Sequence, residues 1–281
     1  MKDKINKIKM NLKNVAIDGM LWAATDKLGT KIIQFVISIF IARLLLPSDY
    51  GIIGILAIFI AISETILDSG FANALIQKQD RTDIDYSTAF FFNIVTAIIL
   101  YCFIYTISPY IADFYKLPIL NDVARIYSLN IVINSLTIVQ TAKLSINLQF
   151  KHQSIISIIS VLLSGIAGFA FANNGLGVWS LVYQGIIASL VRMILIWLFA
   201  KWLPRFVFSV NSFKRLFSFG SKILCSGLIN TIYNHLYAIV IGKVFTPSEV
   251  GYFNRGNQFA NLPTDTITNI IMSVSYPILA R

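Results

Sequence analysis

Long apolar runs are the feature of this sequence that most restricts its fold. IIQFVISIFIA, GIIGILAIFIAI and TAIILYCFIYTI each lie within a stretch long enough to cross about 30 Å of hydrocarbon as a helix. Of the residues, 56% are hydrophobic and only 13% are charged, which is about half the charged share that is usual in soluble domains. A soluble protein with an unusually apolar core does not explain runs of this length. We therefore predict an integral membrane protein.

The runs and the breaks between them predict eight membrane-spanning helices. Their ranges are 16–45, 49–76, 84–112, 120–146, 153–173, 177–201, 219–245 and 249–278. Basic residues in short loops favour the cytoplasmic side. In this chain they are concentrated in the N-terminal tail and in the loops on the same side of the membrane. This pattern predicts a multi-pass protein of the inner, or cytoplasmic, membrane with a cytoplasmic N-terminus. It also explains the net charge of +10 without a nucleic-acid partner.

The connector KWLPRFVFSVNSFKRLFSFGSK separates the sixth and seventh predicted helices. Phenylalanines alternate there with lysines and arginines, so its second half is predicted to form a short amphipathic helix at the cytoplasmic interface. A solvated basic loop is the alternative. The connector divides the chain into an N-terminal six-helix lobe over residues 1–202, an interfacial linker over 203–218 and the start of a second lobe over 219–281.

A short motif occurs twice at an offset of 200 residues, as RLLLPSDYG and as KVFTPSEVG. Proline suits the first position of a helix, and an acid two residues later faces the unpaired N–H groups there. In the second copy, Thr246 and Glu249 predict a capping box. Both copies join helices of the same orientation, so the repeat is parallel, as in a transporter of two six-helix lobes.

The predicted fold is an all-α integral membrane protein with a six-helix N-terminal lobe and the first two helices of a second, repeated lobe. Because only two helices follow the linker, we expect a truncated form, with a complete eight-helix chain as the alternative.

Four segments carry a resemblance to a known family: ARLLLPSDYGIIGI, DSGFANALIQKQD, GLGVWSLV and GYFNRGNQFANLPTDTI. In this order they resemble the Wzx-type polysaccharide and lipopolysaccharide exporters, which are flippases of the multidrug/oligosaccharidyl-lipid/polysaccharide exporter superfamily. The resemblance implies that the substrate is an oligosaccharide on a polyprenyl pyrophosphate, which alternating access moves to the outer leaflet. Its implied partners are this lipid-linked oligosaccharide, the lipid bilayer, and a polysaccharide polymerase with glycosyltransferases.

Enzyme activity is not predicted for this chain. The sequence contains neither a G-x-x-x-x-G-K-[ST] phosphate loop nor an H-E-x-x-H zinc motif. The spacing of its cysteines and histidines indicates no metal site, and no cofactor is expected.

Polar residues within the apolar helices are the candidate site, because ionisable groups are costly in hydrocarbon. In the first helix, Lys27, Lys31 and Gln34 follow one stripe, and two lysines one turn apart suit a pyrophosphate. In the eighth helix, the candidates for substrate binding are Asn254, Arg255, Gln258 and Asn261. The alternatives are that the lysines snorkel to the cytoplasmic surface and that Arg255 is an interfacial anchor.

Three acids are candidates for coupling transport to an ion. Glu64 and Asp68 lie one turn apart near the cytoplasmic end of the second helix, and Asp26 lies at a similar level in the first. Their charge state is predicted to couple to movement of the lobes. A static ion pair of Glu64 or Asp68 with Lys27 or Lys31 is the alternative.

Polar faces of the fourth and seventh helices are candidates for contacts with sugar hydroxyls. They contain Asn130, Asn134, Thr137 and Thr141, and Ser226, Asn230, Tyr233 and Tyr237. Hydrogen bonding between helices is the alternative use.

For the whole chain, two other functions are considered: a cation-coupled small-molecule (multidrug) antiporter of the same superfamily and a non-transporting remnant. The predicted lysine stripe favours an anionic head group over a cationic drug.

Overall fold

The computed structural model describes residues 21–257 except 23, 27 and 69, together with residues 260, 268 and 272; the side chains of residues 238 and 239 are not described. Within these residues every regular element is an α-helix. Helix α1 is described over residues 21–42 except 23 and 27. It is followed by α2 (Pro47–Asp68), α3 (Phe71–Gln77), α4 (Asp83–Tyr115), α5 (Ile119–Tyr127), α6 (Leu129–Ser135), α7 (Ile138–Ile146), α8 (Phe150–Asn173), α9 (Val178–Ala200) and α10 (Val210–Val244). Helix α11 begins at residue 247 and is described to residue 257.

Six helical stretches among the described residues are long and apolar enough to cross a membrane. They are Pro47–Gln77, Asp83–Tyr115, Ile119–Ile146, Phe150–Asn173, Val178–Ala200 and Val210–Val244. The first and eighth predicted spans lie partly outside the described residues. Large apolar side chains such as Ile99, Phe103 and Ile166 are exposed on the surface of the bundle, where hydrocarbon replaces water as the solvent. The predicted all-α membrane fold is confirmed.

Two of the predicted spans are interrupted. The span predicted at 49–76 breaks at Gly70, whose φ of 68° is left-handed. A Cβ at this position would lie 2.6 Å from Gly220 Cα, so the break lets α10 approach closely. In the span predicted at 120–146, Asn130 donates to the carbonyl of Tyr127 at 2.9 Å. Such side-chain bonds to the backbone compete with helix hydrogen bonds, and the span is divided into α5, α6 and α7.

The predicted linker does not end where the sequence suggests. Residues 201–209 contain no helix, and α10 then continues from Val210 to Val244. The expected amphipathic helix and the seventh span are therefore one helix, and the predicted boundary at residue 219 lies inside it. Ser209 caps this helix by accepting the N–H of Ser212 at 3.3 Å. The division of the chain into lobes remains a prediction.

Non-helical residues 201–209 are fixed to the first turns of α4. Ser87 accepts the backbone N–H of Arg205 at 3.0 Å, and Thr88 accepts that of Ser209 at 3.1 Å. Nearby, the buried carboxylate of Asp85 pairs with Lys78 at 2.5 Å and accepts the N–H of Thr82 at 2.8 Å. The end of the bundle that contains residues 70–82, 147–149 and 201–209 is called the linker end. The opposite end, which contains residues 43–46, 116–118, 174–177 and 245–246, is called the hairpin end.

Helix α10 runs antiparallel to α2 along most of its length. Three contacts define this register: Gly242 against Ile55, Thr231 against Thr65, and Gly220 against Gly70. Glycines at two of these levels allow the backbones to approach closely, as is common between helices in membranes. At the linker end, stacked rings of Phe71, Phe92, Phe213 and Phe217 join α3, α4 and α10. The first helix of the predicted second lobe is therefore packed against the N-terminal lobe.

Candidate functional site

The two copies of the repeated motif meet at the hairpin end. A Cβ added to Gly51 would overlap the carbonyl oxygen of Pro247, and a Cβ added to Gly251 would overlap that of Pro47. The contact is reciprocal, so the first turns of α2 and α11 cross with equivalent residues facing each other. This contact, formed by Pro47, Gly51, Pro247 and Gly251, is called the seam. Only glycine fits at this separation, because any side chain would displace the facing backbone.

Hydrogen bonds at the start of each helix fix the two halves of the seam. The backbone N–H of Leu46 donates to Asp49 Oδ2 at 3.0 Å. In the second copy, both the N–H and the hydroxyl of Thr246 donate to Glu249 Oε2 at 2.8 Å, and the N–H of Glu249 donates to Thr246 Oγ1 at 3.4 Å. The capping box predicted for Thr246 and Glu249 is confirmed. In the first copy, Leu46 occupies the position of Thr246. Leucine has no hydroxyl to accept the N–H of Asp49, so only the bond from the backbone of Leu46 to the carboxylate of Asp49 is formed.

Two predicted substrate contacts lie beside the seam. Arg255 Cζ lies 3.9 Å from the centroid of the Tyr50 ring, which is a cation–π contact between α11 and α2. Asn254 is packed so tightly against Gly54 that a Cβ there would overlap its amide. The structure thus gives both residues a contact between the predicted lobes. Their contact with substrate remains a prediction.

A cavity of about 490 Å³ lies between α2 and α10, nearer the linker end. It is bounded by the contacts of Gly242 with Ile55 and of Gly220 with Gly70. Its centre on α2 is about 25 Å from the seam at 1.5 Å of rise per residue. The lining residues are Ala61, Glu64, Thr65, Asp68, Gly70, Ile223, Leu224, Gly227, Asn230, Thr231, Asn234 and His235. This cavity is called the α2–α10 cavity.

The carboxylates of Glu64 and Asp68 are both exposed in the α2–α10 cavity. Asn134 of α6 donates to Glu64 Oε1 at 3.0 Å. Neither acid forms an ion pair with Lys31 among the described residues, and Lys27 lies outside them. The neighbouring cation is instead Arg192 of α9, whose charge interacts with those of Glu64 and Asp26. The structure therefore brings two predicted ion-coupling acids, Glu64 and Asp26, to the same arginine.

Arg192 is a candidate site residue that the sequence analysis missed. It lies about two turns before the end of α9, where a charge is costly unless it faces a cavity or a counter-ion. Arg192 is exposed in the structure, and its charge interacts with those of Glu64 and Asp26. The signal was present in the sequence, because Arg192 is the one charged residue within VWSLVYQGIIASLVRMILIWLFA.

The remaining predicted site residues are distributed along α1 and α11. Lys31 is half-buried and Gln34 is exposed on α1. The structure shows no hydrogen bond from either of them to the carboxylates of the α2–α10 cavity. Gln258 and Asn261, which are predicted to contact substrate, lie outside the described residues, as does Lys27. Whether these residues contact substrate remains a prediction.

The polar faces predicted on the fourth and seventh spans have different outcomes. Asn134 bonds between helices, whereas Thr137 and Thr141 donate to carbonyls of their own span at 2.8 Å. Asn230 lines the α2–α10 cavity, but Tyr233 and Tyr237 are exposed outside it. In the described part of the chain, no group of three or more histidines, cysteines or acids is placed to hold a metal ion.

Comparisons with known proteins identify relatives of this chain. A family model described as polysaccharide biosynthesis protein matches residues 40–281. The teichuronic acid biosynthesis protein TuaB of Bacillus subtilis is 29% identical over 94% of this chain and 55% of its own length. The succinoglycan biosynthesis transport protein ExoT of Rhizobium meliloti is 25% identical over 91% of the chain and 52% of its own. The lipopolysaccharide biosynthesis protein WzxC of Escherichia coli is 24% identical over 97% of this chain and 56% of its own length. The chain spans about half the length of these curated relatives. No solved structure matches it.

Proposed function

Because the chain belongs to the polysaccharide biosynthesis protein family, we propose that it serves polysaccharide export as a flippase rather than as an enzyme. Its substrate is a polyprenyl-pyrophosphate-linked oligosaccharide, which it moves between the leaflets of the cytoplasmic membrane by alternating access. The N-terminus and the linker end face the cytoplasm, as the distribution of basic residues predicts. A polysaccharide polymerase and glycosyltransferases are the proposed partners.

The observation that carries this proposal is the pairing of the seam with a polar cavity. Equivalent residues of a parallel repeat meet across the seam at the hairpin end, while exposed carboxylates and amides line the α2–α10 cavity toward the linker end. Repeated lobes that meet around a polar site are the arrangement on which alternating access depends. The relative ExoT is described as a transport protein, which further supports export over catalysis.

A transport assay on vesicles tests the proposal. The purified chain is reconstituted into vesicles that contain undecaprenyl pyrophosphate carrying a fluorescent, N-acetylhexosamine-containing oligosaccharide. A membrane-impermeant quencher then reports the fraction of label in the outer leaflet. We expect the label to exchange between leaflets faster than in protein-free vesicles. Exchange no faster than in protein-free vesicles would contradict a flippase activity of this chain.

A second candidate function is supported by the charge of the cavity. Glu64 and Asp68 are exposed there, and none of the described lining residues is a lysine or an arginine. An acidic cavity suits a cationic small molecule, as in the multidrug antiporters considered from the sequence. Vesicles preloaded with ethidium separate the two functions. Ethidium efflux that depends on an ion gradient and is lost in Glu64→Gln, without any movement of the lipid-linked oligosaccharide, would favour the antiporter.

A further inference from the structure

The α2–α10 cavity has walls of two different chemical kinds. Helix α2 contributes the carboxylates of Glu64 and Asp68, and α10 contributes the amides of Asn230 and Asn234. The hydroxyls of Thr65 and Thr231 meet between them at 2.9 Å. Its volume of about 490 Å³ lies within the range of about 300–1,000 Å³ that is typical of small-molecule sites. The cavity can therefore accept a ligand of roughly the size of a sugar unit.

The charges of the cavity exclude one part of the proposed substrate. A pyrophosphate requires cations or clustered N–H donors, whereas the ionisable groups among the described lining residues are two acids and one histidine. Arg192 is not among the lining residues, and its charge interacts with those of both Glu64 and Asp26. An anionic group in the cavity would face two carboxylates at close range, which is unfavourable.

The polar groups of the cavity have free hydrogen-bonding capacity. Among the described residues, none donates to Asp68, and none bonds to the side-chain amide of Asn230 or Asn234. Glu64 differs, because Asn134 holds its Oε1 at 3.0 Å and leaves Oε2 as an acceptor of fixed orientation. Carboxylates accept O–H donors, and amides both donate and accept. Such a set complements a ligand that carries many hydroxyls.

The spacing of these groups fits a ring with hydroxyls on opposite edges. Glu64 and Asp68 lie one turn apart on α2, and Asn230 and Asn234 lie one turn apart on α10, so each pair has Cβ atoms about 5–6 Å apart. The two rows face each other across the cavity. We propose that the α2–α10 cavity binds an uncharged sugar unit, a hexose or N-acetylhexosamine, between the acids of α2 and the amides of α10. Its hydroxyls donate to Glu64 and Asp68, and the ring is held away from the pyrophosphate.

This inference rests on the proposed function and narrows it. It assigns the glycan part of the substrate to the interface of α2 and α10, and it leaves the pyrophosphate to the predicted lysine stripe of α1. It also gives Glu64 and Asp68 a role in recognition that differs from the ion coupling predicted from the sequence. The alternative is that the same carboxylates bind sodium, and the experiment must distinguish sodium binding from sugar binding.

Hydrogen exchange on the purified chain in lipid nanodiscs tests the assignment. The probes are triacetylchitotriose as an uncharged sugar, sodium chloride and inorganic pyrophosphate, each added alone. We expect triacetylchitotriose to protect residues 61–68 and 223–235, with weak affinity, and pyrophosphate to leave these segments unchanged. Protection by pyrophosphate, or equal protection by sodium chloride without sugar, would overturn the proposal.

Two neighbouring residues of α10 provide a matched pair of variants. Asn230→Trp places a bulky ring in the cavity, whereas Ile229→Trp adds the same ring at a position that is exposed and does not line the cavity. We expect Asn230→Trp to weaken sugar binding at least tenfold and Ile229→Trp to leave it unchanged. Asp68→Ala, which removes an exposed carboxylate, provides a second test if Asn230→Trp does not fold. Unchanged binding in Asn230→Trp or in Asp68→Ala would overturn the assignment.

The vesicle assay distinguishes failure of this inference from failure of the proposed function. Sugar binding without movement of the lipid-linked oligosaccharide would contradict the flippase activity and leave the binding site intact. Movement that is unaffected by Asn230→Trp would contradict the sugar site and leave the flippase activity intact.

Discussion

Gly51 of α2 packs directly against the carbonyl group of Pro247, 196 positions further along the chain, and the repeat makes this contact reciprocal. The two residues belong to different copies of one motif, so the sequence repeat corresponds to a contact in space. Proline starts each helix without an N–H group, and glycine four residues later leaves room for the facing turn. The repeat therefore encodes one of the places where the two predicted lobes touch.

Gly51→Ala is expected to destabilise the seam. The new methyl group would overlap the carbonyl of Pro247, and overpacking of this kind typically costs about 1–3 kcal/mol. Gly256→Ala is the matched control, since a Cβ at position 256 meets no atom within 4 Å. There alanine should be neutral or should stabilise the helix by up to about 1 kcal/mol. Thermal unfolding of the purified variants checks this, and equal midpoints for the two would contradict a tight seam.

Thr246→Ala is expected to loosen the start of α11. The change removes both hydrogen bonds of the Thr246 hydroxyl, and loss of such a cap costs about 0.5–2 kcal/mol. Hydrogen exchange of residues 247–250 should become faster, whereas Thr246→Ser should retain the protection. Equal exchange in the alanine and serine variants would show that the hydroxyl does not hold this turn.

The long apolar runs predicted most of the membrane fold, because a membrane helix requires such a run and each run predicts its own span. The repeated motif predicted the hairpin and its cap from local chemistry alone. What could not be predicted depends on contacts between distant residues. The break at Gly70 lies where Gly220 packs against it, and α10, which continues through residue 219, packs against α2 and α3.

In the candidate site, too, contacts between distant residues could not be predicted from the sequence. The sequence identified Glu64, Asp68 and Asp26 as unusual, but it did not indicate that the charge of Arg192 interacts with those of Glu64 and Asp26. Arg255 was selected for its position in a family-like segment, and its observed contact is the ring of Tyr50. Helical spacing reports which residues share a face. It does not report which face of a distant helix lies opposite.

Ser87→Ala combined with Thr88→Val is expected to release residues 201–209. Each hydroxyl accepts one backbone N–H of this segment, at 3.0 and 3.1 Å. The replacements leave these N–H groups without a partner, and each group that stays buried lowers the free energy of unfolding by about 1–3 kcal/mol. Limited proteolysis should then cleave near the fully exposed Phe206 several times faster than in the parent. Ser218→Ala, at an exposed position of α10, is the control. Unchanged cleavage in the double variant would mean that other contacts hold the segment.

Arg192→Gln is expected to lower stability because Asp26 and Glu64 lose their neighbouring cation. A double-mutant cycle with Glu64→Gln isolates the pair, since the double variant removes both charges together. Because Arg192 and Glu64 are both exposed, water screens their attraction, and we expect a coupling of about 0.5–1 kcal/mol. Chemical unfolding in detergent micelles measures the four free energies of the cycle. A parallel cycle of Arg192→Gln with Asp113→Asn, an exposed acid near the hairpin end of α4, should be additive. Additive behaviour in the Glu64 cycle as well would show that Arg192 does not act on Glu64, and the grouping of these charges beside the α2–α10 cavity would then have to be abandoned.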